Sequence, residues 1–141
     1  MTTATGRCLC GAVTFRAEGV ETEHHACHCG MCRRWAGGPN FATSVEHVSF
    51  EGAENIGRYA SSDWAERGFC EVCGTNLFYY LKPADKYNVS VGAFDEASLF
   101  RLVGEIYIDH KPIGYEFAGN LPNMTEAEVI AKFMPPEDGG A

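Results

Sequence analysis

Cys8-Leu9-Cys10-Gly11, near the start of the chain, and Cys70-Glu71-Val72-Cys73-Gly74, in its middle, are the stretches that decide the fold. Thiols this close in sequence converge on one point when they bind a metal ion, and the usual ion is zinc. The two pairs lie about 60 residues apart. Together they could supply four thiolates to one tetrahedral ion, whose binding energy would count as folding energy. Cys70-x-x-Cys73 could instead be a redox pair, but the sequence around it does not show the βαβ pattern in which such pairs occur.

A second kind of cluster, Cys27-His28-Cys29-Gly30-Met31-Cys32, places three thiols within six residues. The chain has seven cysteines, so a division into four and three leaves no eighth thiol to close this second site. An open position on zinc is where catalysis takes place. The alternative is a closed site that a histidine completes, and the candidates are His24, His25, His47 and His110. His28 should point away from its cysteine neighbours. Spacing alone also leaves open a different division, in which Cys8 and Cys10 join members of the second cluster.

Length and composition favour one globular domain over residues 1–141, with a tail from about residue 135 that is expected to be disordered. No signal peptide and no membrane-spanning run is predicted. We therefore expect a cytoplasmic protein, in which clustered thiols stay reduced and bind metal. The net charge of −8 argues against nucleic acid as a partner, because counterion release requires a basic face.

Short alternating runs separated by glycines predict an antiparallel β architecture with few short helices. Strands are expected within five segments: 12–18, 45–51, 75–81, 86–91 and 105–109. Helices are expected at 29–35 and 95–100. Thr125 and Glu128 have capping-box spacing before Val129–Phe133, which predicts a short helix near the C-terminus.

Three ordered motifs carry a resemblance to a known family. They are Cys-Leu-Cys-Gly-Ala-Val-x-Phe, Cys-His-Cys-x-x-Cys-Arg-Arg and Phe-Cys-x-x-Cys-Gly-Thr-x-Leu. This pattern, from about Arg7 to Leu121, resembles the glutathione-dependent formaldehyde-activating enzyme family, which includes centromere protein V. The resemblance implies a mainly β, Mss4-like fold of small antiparallel sheets stapled by zinc. It also implies two zinc ions: a structural ion at Cys8, Cys10, Cys70 and Cys73, and a catalytic ion at Cys27, Cys29 and Cys32.

The activity that the resemblance implies is that of a carbon–sulfur lyase, S-(hydroxymethyl)glutathione synthase, with glutathione or another thiol and formaldehyde or a small aldehyde as substrates. Glutathione carries two carboxylates, so Arg33 and Arg34, directly after the open cluster, are candidate substrate-binding residues. They could equally be ordinary surface arginines. One departure from the family is the segment Asp109–Tyr115, where members commonly carry a tryptophan after the proline. The alternative function is a zinc-stabilised binding or chaperone-like module. The oligomeric state cannot be predicted from the sequence.

Overall fold

Eleven β-strands and two α-helices make up the part of the chain that the computed structural model describes, residues 2–133. The strands are β1 (Thr3–Arg7), β2 (Thr14–Glu18), β3 (Glu23–Cys27), β4 (Asn40–Val45), β5 (His47–Glu51), β6 (Ile56–Ala60), β7 (Ala65–Cys70), β8 (Asn76–Leu81), β9 (Lys86–Ser90), β10 (Arg101–Ile106) and β11 (Asn123–Met124). The helices are α1 (Gly30–Ala36) and α2 (Glu126–Phe133). The prediction of a mainly β fold with few short helices is therefore confirmed.

The described chain forms two compact units. The first unit contains the residues up to His24 together with Phe41–Arg101. In it, β1, β2 and β5 form a three-stranded antiparallel sheet, with β2 in the centre. The strands β4, β9, β8, β7 and β6 are hydrogen-bonded to one another in that order, and each of these pairs is antiparallel.

Aromatic side chains fill the core of the first unit. Phe15, on the inner face of β2, packs edge-on against Phe94 with ring centroids 5.2 Å apart. Phe78 of β8 is fully buried, and its ring lies where a side chain at Gly68 of β7 would have to go. A glycine is therefore required at position 68 for this aromatic packing. Cys8 and Cys70 belong to the same buried cluster, so the metal-binding motifs extend from the core.

The second unit contains His25–Asn40 and the chain from Leu102 onward. It holds α1, most of β10, and the short β11, which pairs with β10 in parallel. Thr125 and Glu128 form the predicted capping box at the start of α2. The Thr125 N–H donates to Glu128 Oε1 at 2.8 Å, and the Glu128 N–H donates to Thr125 Oγ1 at 3.2 Å.

Several predicted boundaries need correction. The last predicted strand, 105–109, in fact ends at Ile106, and the chain turns at Tyr107, whose φ of 56° is left-handed. The helix predicted at 95–100 is a single 3-10 turn, Ala97–Leu99. The disordered tail predicted from about residue 135 lies outside the described residues. Among residues 2–133, no helix is long and apolar enough to span a bilayer.

Candidate metal centres

Four thiols of the first unit lie together, as the sequence predicts. The sulfurs of Cys8, Cys10, Cys70 and Cys73 are all within 4.8 Å of one another. Cys8 Sγ is 3.7 Å from Cys10 Sγ, and Cys10 Sγ is 3.9 Å from Cys70 Sγ. Sulfurs that bind zinc at about 2.3 Å in a tetrahedron are about 3.8 Å apart. The four side chains, which we call the four-thiol group, therefore fit one tetrahedral ion.

The backbone on both sides of the four-thiol group supports its sulfurs. Backbone N–H groups donate to three of them: Val13 to Cys8 at 3.3 Å, and others to Cys10 and Cys70 at 3.4 Å each. Gly11 and Gly74 have φ values of 81° and 84°, so each turn uses the left-handed conformation that glycine allows. The N–H groups that these turns direct at sulfur stabilise thiolates, which are the form that binds metal.

Thr75 links the two pairs of the four-thiol group. Its hydroxyl accepts a hydrogen bond from the Leu9 N–H at 2.9 Å and lies 3.1 Å from Cys73 Sγ. The contact with Thr75 is the main reason that the pKa of Cys73 is lowered to about 5. This contact favours the thiolate form of Cys73, which is the form that binds metal.

Three thiols of the second unit lie together where β3 ends and α1 begins. The ligand atoms of Cys27, Cys29 and Cys32 are within 4.8 Å of one another. Cys27 ends β3, and Cys29 caps α1, because its backbone is extended and its sulfur accepts the Cys32 N–H at 3.3 Å. Cys32 lies buried in the first turn. The helix then ends at Gly37, whose φ is 84°. We call these side chains the three-thiol group.

Hydrogen bonds within the three-thiol group favour the thiolate form of Cys29. The thiols of Cys27 and Cys32 hydrogen-bond to it, and they are the main reason that its pKa is well below the ordinary value for a thiol. The pKa of Cys27 is raised, first of all by the same contact with Cys29 and then by that with Cys32. Thiols that share protons in this way form a donor set that a soft cation such as zinc can occupy.

No histidine belongs to the three-thiol group among the described residues. Of the candidates in the second unit, His110 bonds to Glu126 Oε1 at 2.9 Å, and the His25 ring packs beside Gly104. His24 and His47 belong to the first unit. Asp109, His110 and Glu126 form a further cluster of possible ligands, but Asp109 accepts the Glu126 N–H at 3.0 Å and all three side chains are at least partly exposed. These hydrogen bonds hold Glu126, the first residue of α2, in place. The cluster is therefore explained without a metal ion.

His28 is not among the ligand atoms of the three-thiol group, and its side chain is completely buried. Its Nε2 lies 2.8 Å from Glu105 Oε1, and its Nδ1 lies 2.9 Å from the Tyr115 hydroxyl. Glu105 is also buried, whereas Tyr115 is half-buried. Sequence reasoning missed the role of Glu105 and noted Tyr115 only as part of a departure from the family. The one signal available was the expectation that His28 faces away from the metal ligands.

The two candidate substrate-binding arginines differ in their surroundings. Arg33 is half-buried, and its Nε donates to the His28 carbonyl oxygen at 3.0 Å, which fixes its guanidinium beside the three-thiol group. Arg34 is exposed on the same last turn of α1. Only Arg33 is therefore held in place by a hydrogen bond to the backbone next to the thiols.

Comparison with known proteins identifies the family. The model of the family described as glutathione-dependent formaldehyde-activating enzyme matches residues 3–110, and the chain belongs to this family. A Schizosaccharomyces pombe protein named as an uncharacterized lyase is 36% identical over 131 residues, which cover 92% of this chain and 96% of that protein. A Halomonas elongata protein, provisionally named glutathione-dependent formaldehyde-activating enzyme, is 32% identical over 88 residues, which cover 53% of this chain and 54% of that protein.

A crystal structure of a Rhodobacter sphaeroides protein has the same fold. It superposes with a TM-score of 0.57 at 23% sequence identity, covering 84% of this chain and 98% of the other. At this level of identity, the likeness supports the fold and nothing finer.

Proposed function

We propose that the protein is a zinc-dependent carbon–sulfur lyase of the S-(hydroxymethyl)glutathione synthase type. Its substrates would be glutathione or another thiol, together with formaldehyde or another small aldehyde. The observation that carries the proposal is the three-thiol group, which contains no fourth cysteine or histidine within residues 2–133. Membership of the family and the names of the two relatives support the same reaction class. The reducing cytoplasm is the compartment in which both thiol groups would remain metal ligands.

The two donor sets support a proposed content of two zinc ions per chain. Cys8, Cys10, Cys70 and Cys73 would hold a structural ion, and Cys27, Cys29 and Cys32 would hold the catalytic one. When bound to three thiolates, zinc would supply an open position that can hold a thiol sulfur or polarise an aldehyde oxygen.

The chain's own residues would bind and orient the thiol substrate. A peptide thiol such as glutathione carries two carboxylates, and an acidic protein must concentrate cations to hold them. Arg33 can direct the remaining N–H groups of its guanidinium at one carboxylate, since its Nε is already bonded to the His28 carbonyl. Arg34, exposed on the adjacent position of α1, can attract the other.

The test is an exchange measurement by nuclear magnetic resonance on the zinc-loaded protein. Glutathione and formaldehyde form S-hydroxymethylglutathione without a catalyst, so the enzyme must accelerate exchange between free and adducted glutathione above the rate in buffer. Cys29→Ser is expected to abolish the acceleration. An exchange rate equal to that of buffer, with two ions bound per chain, would refute the proposal.

Metal analysis separates this enzyme from a zinc-stabilised binding module. We expect two zinc ions per chain, of which a chelator removes one quickly while the protein stays folded. Cys32→Ser should retain one ion. Two ions that both resist the chelator, each with four protein ligands by X-ray absorption, would favour the binding module.

A further inference from the structure

Two hydrogen bonds, one buried and one partly buried, connect a carboxylate through His28 to a hydroxyl, and His28 stands between Cys27 and Cys29 of the three-thiol group. Glu105 Oε1 is 2.8 Å from His28 Nε2, and His28 Nδ1 is 2.9 Å from the Tyr115 oxygen. The three residues are far apart in sequence, but all belong to the second unit. A carboxylate that orients an imidazole, which in turn holds a hydroxyl, is an arrangement that enzymes use to position a reacting group.

In the hydrogen-bonded series Glu105–His28–Tyr115, the hydrogen-bonding capacity of His28 is filled, whereas that of Tyr115 is not. The carboxylate of Glu105 accepts, so Nε2 of His28 carries a proton toward it, and both ring nitrogens of His28 are then occupied. A tyrosine hydroxyl has one proton and two lone pairs, and a single bond to His28 leaves capacity to spare. Because Tyr115 is half-buried while His28 is completely buried, the free capacity is at the end that a ligand can reach.

The Tyr115 hydroxyl also lies within the electrostatic field of the site. Its pKa is raised, first because burial removes water from it, and the charge of Glu105 acts in the same direction. Arg33 acts in the opposite direction. The hydroxyl therefore keeps its proton at neutral pH. Its place beside the site follows from its bond to His28, which stands between Cys27 and Cys29 in the chain and whose carbonyl oxygen accepts from Arg33 Nε at 3.0 Å.

We propose that Tyr115 is a catalytic residue that moves the proton from the thiol sulfur to the aldehyde oxygen, an inference that rests on the proposed function. To react, the Tyr115 O–H turns from His28 Nδ1 to the carbonyl oxygen, and its proton passes there as the new carbon–sulfur bond forms and the carbonyl π bond breaks. The proton that the sulfur loses passes to a lone pair of the Tyr115 oxygen and restores the hydrogen bond to His28 Nδ1. One S–H bond and one C=O π bond are lost, one C–S and one O–H bond are gained, and Tyr115 ends unchanged. The reverse sequence cleaves the adduct.

His28 and Glu105 are positioning residues in this scheme. They fix the Tyr115 oxygen and do not need to reach the substrate. The alternative is that the three side chains only tie the chain around Tyr115 to β10 and to the start of α1. A structural tie of that kind would affect thermal stability but would not act selectively on the chemical step.

The experiment compares Tyr115→Phe with Tyr59→Phe in the exchange assay on zinc-loaded protein. Tyr59 is a matched control, since it is 66% exposed on β6 and lies in the first unit. Tyr115→Phe should lower kcat about 100-fold, within the range typical of proton transfer by a positioned side chain. The KM for glutathione and the zinc content should stay as in the wild type, because the hydroxyl acts during the reaction. Tyr59→Phe should match the wild type.

Each result has a distinct meaning. If the wild-type protein accelerates exchange and Tyr115→Phe keeps more than half of its kcat, the assignment of Tyr115 is wrong while the proposed function stands. A wild-type protein without acceleration overturns both. If Tyr115→Phe does not fold, the wild type in D2O still provides a test. Its kcat should fall relative to H2O, and an unchanged kcat would refute proton transfer in the rate-limiting step.

Discussion

Replacing Cys70 with serine removes one ligand from the four-thiol group, and loss of the ion from the weakened site would open a long loop. Cys10 and Cys70 are 60 residues apart in sequence, and their sulfurs lie 3.9 Å apart. A cross-link between residues 60 positions apart restricts the unfolded chain and lowers its entropy. For a loop of this length, the effect adds about 4 kcal/mol to the free energy of unfolding. For a chain of this length, loss of that contribution corresponds to a fall of about 14 °C in Tm.

Cys32→Ser is the matched comparison. Both cysteines are buried, at 0% exposure for Cys70 and 7% for Cys32, so the cost of placing a hydroxyl in the interior is similar. However, Cys27 and Cys32 lie only five residues apart, and closing so short a loop contributes about 2 kcal/mol. The Tm of Cys32→Ser should therefore fall about half as far as that of Cys70→Ser.

Circular dichroism melts of the zinc-loaded, reduced proteins measure both changes. In excess chelator, the difference in Tm between the wild type and Cys70→Ser should shrink to the cost of the buried hydroxyl, since the cross-link is then absent from both. Equal losses of Tm in the two variants with zinc bound would refute the idea that the four-thiol group is the structural cross-link.

Two further predictions concern the core and the substrate. Gly68→Ala should cost about 1–3 kcal/mol in the free energy of unfolding, because the added methyl group meets the buried ring of Phe78. Gly92→Ala, where a methyl group meets nothing within 4 Å, is its control, and equal urea midpoints for the two variants would contradict this account. Arg34→Glu should raise the KM for glutathione about fivefold, the effect of losing roughly 1 kcal/mol of ion pairing. Arg16→Glu, a charge reversal in the first unit, should leave the KM unchanged, and an unchanged KM in Arg34→Glu would remove Arg34 from the substrate site.

The thiol groups could be predicted from the sequence because metal ligation imposes short, local spacing on the chain. The spacing alone left another division of the cysteines open, and the division into four and three came from the cysteine count together with the family resemblance; the structure brings the same two sets together. The contacts of His28 could not be predicted in this way. Its partners Glu105 and Tyr115 are 77 and 87 residues distant, and nothing in a local pattern marks two residues that meet only in the folded chain.

Strand prediction was limited in the same way, because it depends on regular local patterns. β8 and β9 were predicted nearly to the residue, because their bounds follow from local alternation and turn signals. β7 was missed. Its buried and exposed residues do not alternate regularly, and its pairing with β8 shifts between Gly68 and Phe69. A bulge of this kind interrupts the period of two on which strand prediction depends.

The two thiol groups also differ in what holds them together, and this difference bears on their roles. The three-thiol group lies within one strand–helix connection, where the extended backbone of Cys29 and its bond from the Cys32 N–H set the positions of the sulfurs. Its geometry therefore depends on the capping of α1, and an ion could leave or exchange without separating distant parts of the chain. The four-thiol group joins segments 60 residues apart, so loss of its ion would release a constraint on the whole first unit. An exchangeable ligand position is compatible with the three-thiol group, whereas in the four-thiol group it would destabilise the fold. This difference is the physical reason to propose that the chemistry takes place at Cys27, Cys29 and Cys32.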